Sequence, residues 1–397
     1  MNFSVSTLGE LSLGDGKYGI AASAVDYDAK LPAYLRISDI NDDGTLNWND
    51  RKSVNDPDAR KYMLSEGDIV FARTGNSTGR NYYYDPRDGA FTFAGFLIRF
   101  SLDDRKVNPR YIKYYAQSKA YWSWVASFNT GSTRGNINAK TYAQMPIPLP
   151  DRPTQDSIVT LCDSISNKIR LNTTLNGYLE ELAALEFSRR FGEIESSIDL
   201  GKVLSISTKT LKPQNCHGEI WEHYSIPAYD ANRRPVFELA DGIKSNKYVI
   251  DANCILISKL NPSIRRIWMP ACSSKQAVCS TEFIVYKPKN PVHKAFYYAA
   301  IGAPAFRDFL LAHVTGSTGS RQRTQPKATL TYPIPNPGLE AIEDFCAFAN
   351  PLYEQIKVNE RNSTQLEELR DALLPKLMTG EIDVSELDLK QLNSHLA

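Results

Sequence analysis

The chain says nearly the same thing twice. The phrase TGSTRGN at residues 130–136 returns as TGSTGSR at 315–321, an offset of 185. MPIPLP at 145–150 returns as YPIPNP at 332–337, offset by 187. The LEEL of NTTLNGYLEEL (172–182) returns in NSTQLEEL (362–369), again at 187, and FGEIE (191–195) returns as TGEID (379–383) at 188. Four matches in one order at nearly one spacing define a tandem duplication of a unit near 190 residues, far longer than a solenoid repeat. Whatever fold the first unit takes, the second takes again. A length of 397 residues suits two or three domains rather than one core.

Each unit has the same internal order. The first opens on the strand-like runs YLRISDI, GDIVFART and FAGFLIRF, followed by a helical stretch near 108–128. The second has NCILISKLN and EFIVYK, then HKAFYYAAIGAPAFRDFLLAH. Strands followed by helix, rather than alternating βαβ units, predict an α+β fold. Each unit then ends in a long helical pattern. Positions 158, 161, 165, 168, 172, 175, 179 and 182 carry Ile, Leu, Ile, Lys, Asn, Leu, Leu and Leu. The same 3-4 spacing runs from 342 to 377 in the second unit. That is a coiled-coil seam. Roughly 35 residues make about 50 Å of helix, long for a helix packed only on its own domain. Pro153 suits a first turn, Gly192 and Gly380 suit the stops, and Pro375 is expected to end or kink the second helix one turn early.

Both seams are interrupted near the middle by polar residues, Lys168 and Asn172 in one, Asn359 and Ser363 in the other. If the helices run antiparallel, the interruptions meet in one layer, with Asn172 near Asn359. Polar seam residues fix register. The predicted architecture is therefore a tandem pseudo-twofold duplication: two α+β domains (1–150 and 193–337) separated by two long helices (151–192, and 338–397 with its tail) that form an antiparallel coiled coil. Such an object touches a linear polymer at two sites a fixed distance apart.

A net charge of +1 looks neutral to polyanions, but its distribution does not. Residues 252–330 hold eleven Lys and Arg against two acids, and residues 60–140 hold thirteen against six. Residues 340–395 hold five against twelve. Two basic regions in corresponding places point to a polyanionic partner. No apolar run approaches the roughly 20 residues of a membrane helix, and the N-terminus does not read as a signal peptide. The six cysteines are scattered without a CxxC, so reduced thiols in a cytoplasmic protein are expected and a zinc site is not.

The loops that leave the strands carry hydrogen-bonding side chains. In the first unit these are Arg73, Thr74, Asn76, Ser77 and Arg80; in the second, Lys259, Asn261, Ser263, Arg265 and Arg266. The echoed loops add Ser132, Thr133, Arg134 and Asn136, then Ser317, Thr318, Ser320, Arg321 and Arg323. Lys and Arg neutralise phosphates, Asn and Arg also read base edges, and Ser and Thr serve either task. A single such loop is most simply a polar turn capping a strand. Four, paired by the repeat, favour DNA.

These residues resemble the specificity (S) subunit of type I restriction–modification enzymes. The resemblance covers nearly the whole chain. It is carried by LRDALLPKLMTGEIDV (369–384), the repeated Gly-Ser-Thr loops before Pro-x-Pro, EGDIVFARTGNSTGR (66–80), and YSIPAYD, IKSNK and SKLNPSIRRIW between 224 and 268. It implies that the two globular parts are target recognition domains, each reading one half of a split, asymmetric site in double-stranded DNA. It implies that the helices space the half-sites and dock two methyltransferase (modification) subunits. Restriction subunits, with nuclease and translocase activity, would join that complex.

No chemistry of its own is expected, and no cofactor or metal. There is no Asn-Pro-Pro-aromatic motif for adenine methylation, since Asn261-Pro262 is followed by Ser263, and no glycine-rich nucleotide site follows a strand. His217 and His223 lie near Cys216 and Glu219 without metal-ligand spacing. The competing readings are an enzyme in its own right, a specificity chain of a modification-only or other phage-defence system, and a coiled-coil adaptor that does not read DNA.

Overall fold

The computed structural model describes residues 3–47, 50–128, 135–315 and 322–384. They form two compact units. One comprises residues 1–170 with those from 364 onward, the other residues 171–363. Each unit therefore takes a globular part together with a portion of both long helices.

In the first unit, Lys17–Tyr18, Leu97–Ser101, Asp68–Ala72 and Asn81–Tyr83 form one antiparallel sheet in that order. In the second, Leu204–Ser207, Phe283–Pro288, Ile255–Ser258 and Ile267–Trp268 form its counterpart. Both central strands are apolar on both faces, as a strand covered on two sides must be. Ile69, Phe71, Ile98 and Phe100 face a core shared with the helices Pro109–Tyr115 and Lys119–Ala126 and with both long helices. Val70, Ala72 and Leu97 face a smaller sheet that carries Leu35, Phe91 and Phe93. The second unit repeats this division 186 residues on. Ile255, Ile257, Ile284 and Tyr286 face the helices, while Leu256, Phe283 and Val285 face its second sheet.

A two-stranded ribbon closes each unit at the foot of a long helix. Ser4–Thr7 pairs with Pro146–Leu149, and Ser197–Asp199 pairs with Pro333–Pro335. The next residues match as well. The Leu8 N–H donates to the Met145 carbonyl (3.1 Å) and the Leu200 N–H to that of Tyr332 (2.9 Å). Gly9 and Gly201 follow, and a Cβ on either would lie 3.1 Å from the Cβ of Ala143 or Leu330. The Leu-Gly pair is thus a further trace of the duplication, kept glycine by a close approach.

The long helices are Arg152–Phe191 and Leu339–Thr379. Within the second unit they run antiparallel. Asn172 Nδ2 donates to Ser363 Oγ (3.1 Å) and Asn359 Nδ2 to Asn176 Oδ1 (2.8 Å), so one number rises as the other falls. The seam departs from the heptad expected above. Leu175 and Leu182 are 39% and 46% exposed, while Asn172, Ala183, Phe187 and Phe191 are buried. Asn172 and Ala183 are eleven residues apart, as are the buried pairs Ile342 and Tyr353, Phe345 and Ile356, and Ser363 and Leu374. Eleven residues in three turns, about 3.67 per turn, stay close to a straight helix, whereas a strict heptad drifts ~20° per repeat.

Pro375 does not end its helix, which continues to Thr379. Its neighbours Leu374, Leu377 and Met378 are buried in the core of the first unit. Three such side chains contribute roughly 1.5–3 kcal/mol each, against about 3 kcal/mol for an interior proline. The stop comes where Gly380 takes φ +71°.

Candidate nucleic-acid interface

The strand that ends at Ala72 leads into Arg73, and that ending at Ser258 leads into Lys259. In both units this exit is clamped from two sides by backbone hydrogen bonds. The Arg73 N–H donates to the Phe96 carbonyl (3.0 Å), and its own carbonyl accepts from Ile137 (2.9 Å). The Lys259 N–H donates to Glu282 (3.0 Å), and its carbonyl accepts from Thr324 (3.0 Å). Thr74 bridges to Asn136, and Leu260 to Arg323. The strand exit and the residue that follows the echoed loop are therefore one construction, built twice.

Two positions in it need a left-handed backbone. Gly75 has φ +75° and its equivalent Asn261 has φ +47°, and Gly and Asn are the residues that adopt it readily. Thr78 ties the first clamp together, its hydroxyl reaching the carbonyls of Gly75 (2.8 Å) and Gly135 (2.9 Å). Asn261 does so in the second through its N–H to the Gln322 carbonyl (3.0 Å).

The predicted side chains divide by what holds them. Asn76, Asn136, Ser263 and Arg265 are exposed, while Thr74, Ser77, Lys259 and Asn261 are half-buried at the same exits. Arg73 lies over the Tyr18 ring, 5.1 Å from its centroid, and its Nε has no hydrogen-bond partner among the described residues. Arg80 is drawn back from the loop by Asp42 (2.7 Å) and the Ile40 carbonyl. Arg266 is buried and grips Asp230 through Nε (2.6 Å) and Nη2 (2.8 Å). Arg323 is exposed and paired with Glu282 (3.0 Å), which favours its charged form. Ser132, Thr133, Arg134, Ser317, Thr318, Ser320 and Arg321 lie outside the described residues. Tyr18, Thr78, Phe96 and Glu282 belong to the clamps and were missed. Aligning AGFL (94–97) with STEF (280–283) at offset 186 exposes the last two.

Of the predicted register residues, Asn172, Asn359 and Ser363 are brought together in one buried layer. Asn172 Nδ2 also approaches the Asn359 carbonyl (3.4 Å), and Gln355 Nε2 donates to Asn359 Oδ1 (2.9 Å). Lys168 is half-buried one turn away on the same helix. The first helix also exposes Leu171, Leu175, Tyr178, Leu182 and Leu185. Their 4-3-4-3 spacing is a second, outward-facing stripe. At the equivalent places the second helix has Val358, Asn362, Gln365, Leu369 and Ala372.

His217 and His223 each meet a carboxylate, Asp241 and Glu238, both at 2.6 Å. No group of three or more metal-ligating side chains occurs among the described residues. No helix among them is long and apolar enough to cross a membrane.

The described residues thus form a repeated α+β frame with polar, partly basic loop clamps and paired long helices. Residues 28–181 match the family described as the type I restriction modification DNA specificity domain. The MjaIX specificity subunit of Methanocaldococcus jannaschii is 24% identical over 71% of this chain and 71% of its own. The HindI specificity subunit of Haemophilus influenzae is 21% identical over 82% of this chain and 89% of its own. A crystal structure of the S subunit from M. genitalium superposes with a TM-score of 0.53 at 16% identity, covering 95% of this chain and 96% of that one. These matches bear out the resemblance carried by the motifs. Over these residues the chain is similar to specificity subunits of type I restriction–modification systems, and it shares the fold of one of them.

Proposed function

We propose that this chain reads a bipartite, asymmetric site in double-stranded DNA, one half with each clamp, and docks methyltransferase and restriction subunits that act there. One observation carries the reading. The Arg73 and Lys259 exits share the two backbone bonds that flank them and the bridge that follows, yet present different side chains at equivalent positions. A common frame with unequal surfaces is what reading two different half-sites requires. The basic balance of residues 60–140 and 252–330 supplies the phosphate attraction.

Docking is supported by the exposed stripe from Leu171 to Leu185. Its heptad spacing suits an amphipathic helix of a methyltransferase subunit laid along it. In the assembled complex, selection from random duplexes should return a split motif, and affinity should fall steeply between 50 and 200 mM salt, as phosphate neutralisation demands. Binding that is indifferent to both sequence and salt would leave a coiled-coil adaptor.

A further inference from the structure

Three positions beside each strand exit differ together between the units. In the first unit they are Gly79, Ser118 and Trp122; in the second, at offsets of 186, 185 and 185, they are Arg265, Ala303 and Arg307. They are neighbours in both. A Cβ on Gly79 would stand 3.0 Å from the Trp122 ring, and Arg265 lines one small recess with Ala303 and Arg307. In the first unit the set is closed. Ser118 caps the helix Lys119–Ala126 by accepting from the Tyr121 N–H (3.2 Å), and Trp122 packs on Gly79. In the second it is open. Ala303 offers no side chain to cap the helix Pro304–Ala312, which leaves the positive end of that helix bare.

Three guanidinium groups line the recess at this end. Arg265 is exposed and makes no hydrogen bond or ion pair among the described residues. Its Nη2 rests 3.0 Å from where a Cβ on Gly302 would be. Arg307 has a single, long contact with its neighbour Asp308 (3.5 Å). Arg266 is 6% exposed, and its Nη1 has no partner although Nε and Nη2 grip Asp230.

We infer that Arg265, Arg307 and the first turn of the helix Pro304–Ala312 hold one phosphate of the DNA backbone, at a place where the first unit has no such site. The inference rests on the DNA-reading function proposed above. An uncapped helix start, two exposed guanidinium groups and a buried Nη1 without an acceptor all call for an anion. A helix dipole attracts negative charge without regard to base identity, so this site positions the duplex and does not read it. One half-site is therefore anchored by its backbone beside the strand exit, and the other is not anchored there.

The test is titration of the complex assembled with its methyltransferase subunits against its selected duplex and a shuffled one, between about 50 and 200 mM salt. Arg265→Gln and Arg307→Gln are each expected to weaken both duplexes about tenfold. Each should lower the slope of log affinity against log salt by about 1 and leave the selected motif unchanged. Ala303→Asp adds a cap at a residue already extended, with φ −66° and ψ 148°. It is expected to raise the unfolding temperature and yet weaken both duplexes, because its carboxylate takes the place of the phosphate. Unchanged affinity and slope in both arginine variants would overturn the inference. So would a changed preference at a single base pair, the mark of base reading, or loss of the methyltransferase subunits, the mark of a protein carboxylate in the site. If Ala303→Asp does not fold, the arginine variants decide alone. A wild-type complex that selects no split motif refutes the DNA-reading function. If its affinity still falls with salt and with Arg265→Gln, the phosphate site stands without it.

Discussion

At the residue scale, the clamps depend on a few positions that tolerate no ordinary side chain. Gly79 has φ +92°, and a Cβ there would stand 2.6 Å from Val125 Cγ1. Its carbonyl accepts from the Tyr121 hydroxyl and its N–H donates to the Ala72 carbonyl. Gly79→Ala is expected to cost about 1–3 kcal/mol in stability and to weaken the first half-motif before the second, as measured by denaturant unfolding and by selection. Glu360 makes a different prediction. Burial pushes its carboxyl up from 4.5 to about 7, with Arg233 opposing and Glu180 adding to the shift. The folded state then holds the proton more tightly than the unfolded chain, so stability falls as pH rises from about 4.5 to 7. Glu360→Gln should match the wild type near pH 5 and exceed it by about 3 kcal/mol near pH 8. Parallel pH profiles of the two proteins would show that Glu360 is ionised without penalty. Loop chemistry was legible in the sequence because Gly, Asn and basic residues cluster there. The inward pull of Asp42 on Arg80 and of Asp230 on Arg266 was not, because both partners lie more than thirty residues away.

At the element scale, the long helices were readable from periodicity and polar breaks, and their lengths from Pro153, Gly192 and Gly380. The seam phase was not. Near 3.6 residues per turn, heptad and eleven-residue spacings coincide for two turns and then part, which is where Leu175 and Leu182 leave the core. Pro375 misled for a related reason, since its cost is local and the burial of Leu374, Leu377 and Met378 is tertiary. Asn359→Leu should strand Asn176 and Gln355 and cost about 1–3 kcal/mol. Adding Asn176→Leu should recover part of that cost, as it removes a group that Asn359→Leu leaves without its partner. Strictly additive losses in a double-mutant cycle would mean that the two residues do not share one layer. Leu175→Glu with Leu182→Glu touches only exposed positions. It should leave the unfolding temperature within a few degrees and reduce co-purification of the methyltransferase subunit at least tenfold. Unchanged co-purification would move the docking surface elsewhere.

At the scale of the whole molecule, the duplication was the most legible feature of all. It pairs the two sets of loops, because a repeated unit must solve the same packing problem twice, while the α+β class follows from the order of strands and helix within each unit. Ile69, Phe71, Ile98 and Phe100 recur as Ile255, Ile257, Ile284 and Tyr286 on the corresponding faces of the corresponding strands. What the repeat does not fix is the surface each unit presents, and there Phe96 and Glu282 part company.

The most direct measurement is the methylome of a host that expresses this chain with its neighbouring methyltransferase subunit, compared with the methyltransferase alone. The account expects a split, asymmetric motif with methyladenine in both halves, present only when this chain is present. A complex that assembles and yields no new motif would contradict it.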